Sequence, residues 1–323
     1  WRKKMTKGKF LQPTVIIYSL MILSIIFLDY SYAFAKKINV VTTSTDLRSI
    51  TEFIGSDRVK VENITKGYQN PHIVDAKPSY ILKLNKADLF VKVGLDLETW
   101  SQLLEDGARN PQIRFGSPGY VDASIGAELL DIPMTKIDRS LGDIHVFGNP
   151  HYWLDPLNSK TIAQNILNGL RRISPENADY FKENKKRFDN EIDTHLVKWL
   201  RKIKPYSGTK VIAYHRTWSN LANRFRFEIV DYVEPKPGIP PSPSHIANLI
   251  KRMKMEDIKV IIKEPYYENK VPNFIASKTG ASVLTLPTSV EGIKGIKDYF
   301  VLFDYITDEL INAFVEQGIN SND

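Results

Sequence analysis

Residues 156–204 carry an almost unbroken helical pattern, interrupted once at Ser174-Pro175, and on both sides of it short apolar runs alternate with amphipathic segments. Upstream, "INVVTTST" (38–45), "VKVENIT" (59–65) and "DLFVKVG" (88–94) have the length and β-branched content of strands. "LRSITEFIG" (47–55), "PSYILKLNKA" (78–87) and "LETWSQLLEDGAR" (97–109) have helical spacing. Downstream the alternation resumes with strands at 209–215, 227–233, 259–265 and 282–287 and helices at 216–225, 245–256 and 270–280, closed by a helix from about Tyr299. Strands alternating with helices over such lengths predict α/β architecture with mainly parallel sheets covered on both faces. The expected organisation is an N-terminal β/α lobe (36–157), a long rigid connecting helix (158–204) and a C-terminal β/α lobe (205–323), with a ligand site in the cleft between lobes. Residues 110–148, rich in Gly, Pro and Asp, read as irregular.

The first 35 residues stand apart. Five basic residues precede an apolar run at 15–28, and Ala33-Phe34-Ala35 follows. That pattern reads as a secretory signal peptide cleaved after Ala35, the run being short for a bilayer span. Met5 is the expected initiator. Most of the formal charge of +7 belongs to this leader, five basic residues against Asp29, and about +3 remains for the rest, which gives no case for nucleic acid. The sequence contains no cysteine, hence no disulfide, thiolate metal site or lipid-bearing cysteine. A soluble periplasmic protein is the expectation.

Three of the six histidines share a setting. His72 follows Asn70-Pro71 after an expected strand, His151 follows Asn149-Pro150 just before a helix, and His215 ends a strand at the turn into a helix. Ligands in open α/β sheets bind at the carboxyl ends of strands. Glu264 ends the strand "VIIK" in the same manner. Structural zinc sites usually draw ligands in close-spaced pairs, unlike these four. With two candidates in each lobe, a shared ion would lie between them, and three neutral imidazoles plus a carboxylate suit Zn²⁺, with Mn²⁺ or Fe²⁺ possible. His195 and His245 read as structural, on a solvated helix face and at a helix start. His145 reads as at most a transient contact. Asp155 is the expected N-cap of the long helix with Pro156 at its first position, and Trp153 is expected in the core.

Five blocks occur in order: "NPHIVDAKPS" (70–79), "KADLFVKVGLDLETW" (86–100), "NPHYWLDP" (149–156), "VIAYHRTWSNLANRF" (211–225) and "IIKEPYYENKVPNFIASKTGASVLTLP" (261–287). Together they resemble the zinc/manganese solute-binding proteins of ABC importers, the ZnuA/TroA-like family. The resemblance covers roughly 38–316, and "PHYWLDP" is its most specific piece. It implies a metal held between two lobes, with His72, His151 and His215 on the family's three histidine positions; histidine at the third position goes with zinc. Three departures follow. Tyr80 stands where the family usually has Asp after Pro78-Ser79. Ser289, in "LPTSVEG", stands near the position of a frequent fourth ligand, leaving Glu264, Glu291 or water, of which strand-terminal Glu264 is favoured. The segment before His151 holds only His145, against the His-rich loop of many zinc members.

The expected function is therefore a monomeric periplasmic receptor, not an enzyme, that captures Zn²⁺ and hands it to a membrane permease served by an ATPase subunit. Affinity should fall as pH drops through about 6.5, where free imidazole protonates. Two other classes remain: a secreted zinc hydrolase with the same three histidines and Glu264 as base, and a metal-free adhesin or binding module on the same fold.

Overall fold

Strand-forming runs and helical runs fall where the alternation places them. The computed structural model describes Trp1, residues 36–133 and residues 145–319; the expected leader and most of the segment before His145 lie outside them. The first sheet comprises β1 (Ile38–Thr42), β2 (Val59–Asn63), β3 (Leu89–Lys92) and β4 (Tyr120–Asp122), ordered β2-β1-β3-β4 with every pairing parallel. Helices α1 (Thr45–Gly55), α2 (Pro78–Asn85) and α3 (Ser101–Ala108) connect them. The second sheet, β5 (Lys210–Ala213), β6 (Glu228–Tyr232), β7 (Val260–Lys263) and β8 (Ser282–Thr285), repeats the order as β6-β5-β7-β8, again all parallel. Its helices are α6 (Ser219–Phe225), α7 (Pro243–Met255) and α8 (Lys270–Thr279). No internal repeat is visible in the sequence, yet both sheets share one topology, because the right-handed β/α crossover allows few others.

Between the sheets lie α4 (Asn158–Ile173) and α5 (Ala178–Ile203), separated at the expected Ser174-Pro175 break. The 26 residues of α5 span about 39 Å at 1.5 Å per residue. Its buried face, Phe188, Ile192 and Trp199, packs on Phe303, Ile306 and Leu310 of the terminal helix α9 (Tyr299–Glu316). The same core takes in Val40 and Val91 of the first sheet and Val211 and Ile262 of the second, so the apolar interior runs through both lobes without interruption. His195 lies here, its ring 5.0 Å from Phe300 and 5.2 Å from Trp199, and not on a solvated face. Among the described residues, no helix is long and apolar enough to cross a membrane.

Two local details differ from the pattern. Residues 120–122 form an edge strand inside the stretch read as irregular; three residues bonded to β3 alone are too few to show a period of two. The helix after His151 begins at Asn158, two residues beyond the expected Pro156. The Asp155 carboxylate accepts the Leu157 N–H at 2.9 Å, tightening the turn before the helix, and its oxygens accept Arg224 Nε and Nη2 at 2.7 and 2.6 Å. That pair bridges the lobes.

The lobes also meet around Gly67. A Cβ built there would lie 2.0 Å from the Val290 carbonyl oxygen and 2.6 Å from the Gly292 nitrogen, both backbone atoms that cannot step aside. Gly67→Ala is therefore expected to destabilise the fold by roughly 1–3 kcal/mol, the usual cost of overpacking, read as a lower midpoint of thermal unfolding. Because the same loop carries His72, metal affinity should fall with it.

Candidate metal centre

The order of the second sheet puts its switch point between β5 and β7, and His215 and Glu264 follow those two strands. The crevice outside such strand ends is where α/β sheets hold ligands. His72 comes from the loop after β2, His151 from the turn ahead of α4. Their convergence is close: the ligand nitrogens of His72, His151 and His215 all lie within 4.8 Å of one another. The Nε2 atoms of His72 and His151 are 3.1 Å apart. A tetrahedral zinc with Zn–N bonds of 2.0–2.1 Å separates its nitrogens by roughly 3.3 Å. His151 and His215 are 2 % and 6 % exposed, and His72 is half-buried.

Each ring is held by what surrounds it. The Asn149 side chain accepts both the backbone N–H and the Nδ1–H of His151 at 2.9 Å. Its amide nitrogen donates to Asp131 Oδ2 at 2.9 Å and to the Arg216 carbonyl at 2.7 Å, which assigns its oxygen to His151 and leaves His151 Nε2 as the free lone pair. His215 Nδ1 lies 2.8 Å from Glu234 Oε2. The His72 backbone N–H donates to Asn70 Oδ1 at 3.0 Å, and the Trp100 indole donates to the Pro71 carbonyl at 2.9 Å, fixing the loop. Trp153, 1 % exposed, packs its ring 5.3 Å from that of His151 and donates to the Thr288 carbonyl across the cleft at 2.8 Å.

Burial, then the neighbouring imidazoles, pushes His72 down to about 3 and His151 well below the ordinary range. Both rings are therefore neutral and available as ligands near neutrality. The expected loss of affinity through pH 6.5 does not arise from these two.

Glu264 is fully buried at its strand end but is not part of the nitrogen group. Burial pushes its carboxyl up, while the nearby His215 and the Thr217 hydroxyl pull it down. Glu291 lies elsewhere: it is half exposed and pairs with Arg48 Nη2 at 2.7 Å. Ser289 is buried beside Asp46. His145 is closer to the site than the sequence implied. Its ring lies 5.2 Å from that of His72, and it lines a cavity of about 260 Å³ with Asp131, His151, His215 and Pro237. His245 is structural, its Nε2–H donating to the Tyr232 carbonyl at 2.9 Å. Sequence reasoning missed Asn149 and Glu234 as ring partners. The Asn-Pro turn before His151 was the available signal for the first; for the second there was none.

Known proteins share this fold. Over 290 residues the chain is 27% identical to the iron-binding protein YfeA of Yersinia pestis, covering 87% of each chain. It is 26% identical over 260 residues to the high-affinity zinc uptake system protein ZnuA of Bacillus subtilis, covering 80% of each. Among solved structures, a crystal structure of ZnuA superposes with a TM-score of 0.74 at 23% identity, covering 86% of this chain and 99% of that one. A Mn-bound periplasmic metal-binding protein from Candidatus Liberibacter asiaticus gives 0.69 at 21% identity, covering 86% and 99%. Residues 40–313 match the family described as zinc-uptake complex component A, periplasmic, and the chain belongs to that ZnuA family of metal-uptake proteins.

Proposed function

We propose that this protein is the substrate-binding component of an ABC importer, which captures a divalent transition metal, Zn²⁺ first among them, and delivers it to a permease and ATPase. The observation that carries this reading is the convergence of three imidazoles from different elements on one point in a buried cleft, two of them held neutral by burial. Three nitrogen donors favour Zn²⁺ over Mn²⁺, which prefers oxygen. His72 and His151 hold the ion from the first lobe and His215 from the second. Glu264 completes the set by a small shift of its strand end, binding the ion as the carboxylate. The relatives named for metal uptake or binding support the same class of cargo.

Release needs only a modest displacement, since separating His215 from the first-lobe pair His72 and His151 divides the ligand set. The lobes are tied by Arg224–Asp155, by Asn149 to the Arg216 carbonyl and by Trp153 to the Thr288 carbonyl. Such ties favour small adjustments over wide hinge opening.

Calorimetric titration of metal-stripped protein with Zn²⁺, Mn²⁺ and Fe²⁺ tests the reading. Tight binding with Zn²⁺ preferred is the expected result; no tight binding of any of the three would refute it and leave a metal-free binding module. Glu264→Ala should weaken Zn²⁺ binding, and an unchanged affinity would leave water as the fourth ligand. Turnover of ester or phosphoester substrates by the zinc form would favour the hydrolase instead.

A further inference from the structure

The three histidines are supported unequally. His151 leans on a neutral amide, Asn149. His72 has, among the described residues, no ring hydrogen bond except its 3.1 Å contact with His151. His215 alone is bonded to a carboxylate, with Nδ1 2.8 Å from Glu234 Oε2 and both side chains 8 % exposed.

That carboxylate is fixed by the fold. The pairing of β5 with β6 continues past the strand ends, Val233 N–H donating to the Ala213 carbonyl at 2.9 Å and Glu234 N–H to the Tyr214 carbonyl at 3.0 Å. This register sets Glu234 beside His215. Gly238 N–H reaches the same Oε2 at 3.3 Å, so the proline-rich turn closes over the pair. A carboxylate can only accept here, so Nδ1 of His215 carries the hydrogen and Nε2 faces the cleft.

We propose that Glu234 is a positioning residue that makes His215 the anchoring ligand of the metal site. The inference rests on the metal-receptor reading above and deepens it. A carboxylate behind an imidazole locks its orientation and raises its basicity toward the ion. It also adds charge: imidazole ligands bring none to an ion, and the carboxylates of Glu234 and Glu264, both near His215, supply the two negative charges that balance a divalent cation in a buried cleft. The substrate class is thereby a dication.

The test compares wild type, Glu234→Gln and Glu234→Ala. Zn²⁺ affinity is measured by competition with a chromophoric chelator, and the Co²⁺ form is read by its visible d–d bands. Glu234→Ala should lose affinity by roughly 10–100-fold, the usual cost of an outer-shell partner, with altered Co²⁺ bands. Glu234→Gln, which keeps an acceptor oxygen but no charge, should fall between the two and retain the band shape. It also serves if the alanine variant folds poorly. Zn²⁺ affinities within about twofold of wild type in both variants would overturn the proposal while leaving the receptor reading intact. Failure of the wild type to bind Zn²⁺ and Co²⁺ would overturn both.

Discussion

His151→Ala is expected to lower Zn²⁺ affinity by more than ~100-fold, beyond the loss typical of an outer-shell partner, with little change in thermal stability of the metal-free protein. The ring contributes a ligand nitrogen 3.1 Å from that of His72, and its removal leaves two imidazoles on different lobes. The cavity so created is lined partly by polar groups and adjoins the cleft, so water can fill it. Isothermal titration at pH 7.5 decides the point, and affinity within tenfold of wild type would remove His151 from the ligand set. A companion measurement uses the neutral state of the rings. With His72 held near 3 and His151 well below the ordinary range, these two do not exact the roughly 100-fold penalty that a pair of ordinary imidazoles would between pH 7.5 and 5.5. A loss of that size assignable to them would contradict the burial argument.

The second large effect concerns Asp46, 1 % exposed at the start of α1, which accepts the Val290 N–H across the lobe boundary at 3.0 Å. Burial pushes its carboxyl up to about 7, against weaker pulls from Val290, Ser289 and Arg48; Tyr299 also lies within its field. The folded protein therefore holds a proton on Asp46 that the unfolded chain releases near pH 4. Its contribution to stability is full below that pH and is lost as pH rises to about 7. A shift of about three units corresponds to ~4 kcal/mol at most, since one unit is about 1.4 kcal/mol. Asp46→Asn keeps an acceptor for Val290 and carries no charge. Its stability relative to wild type should thus be near zero at pH 4, rise through pH 5–7 and level off above, by several degrees in the unfolding midpoint. His72 and His151 change wild-type stability with the opposite slope, but they are common to both proteins and cancel in the difference. Thermal melts of the pair at pH 4.5, 6 and 8 test this; a difference that is flat with pH would mean that Asp46 is ionised in the folded state throughout.

Much of the candidate centre was legible because its signals are local. His72 and His151 each follow Asn-Pro, and His215 and Glu264 each follow a short run that opens with β-branched residues, so the local pattern marks the positions without any knowledge of the fold. Glu234 carried no such mark. Its partner is 19 residues away, and only the register of β5 with β6 joins them. His145 differs again: its loop has no periodicity, and its approach to His72 follows from where the chain returns.

Local spacing alone determined the alternation of strands and helices, the Ser174-Pro175 break and the turn settings of three histidines, because hydrophobic period, proline and turn residues act within a few positions along the chain. The tertiary structure decided the rest. It brought the terminal helix α9 back to the first lobe, where Tyr299 N–H donates to Ser49 Oγ at 3.1 Å, and set Asp155 against Arg224 instead of capping α4. It left Glu264 buried outside the nitrogen group and gave His215 its carboxylate. These are contacts between segments far apart in sequence, whose strength depends on packing and desolvation that arise only once both sheets and the long helix share one core.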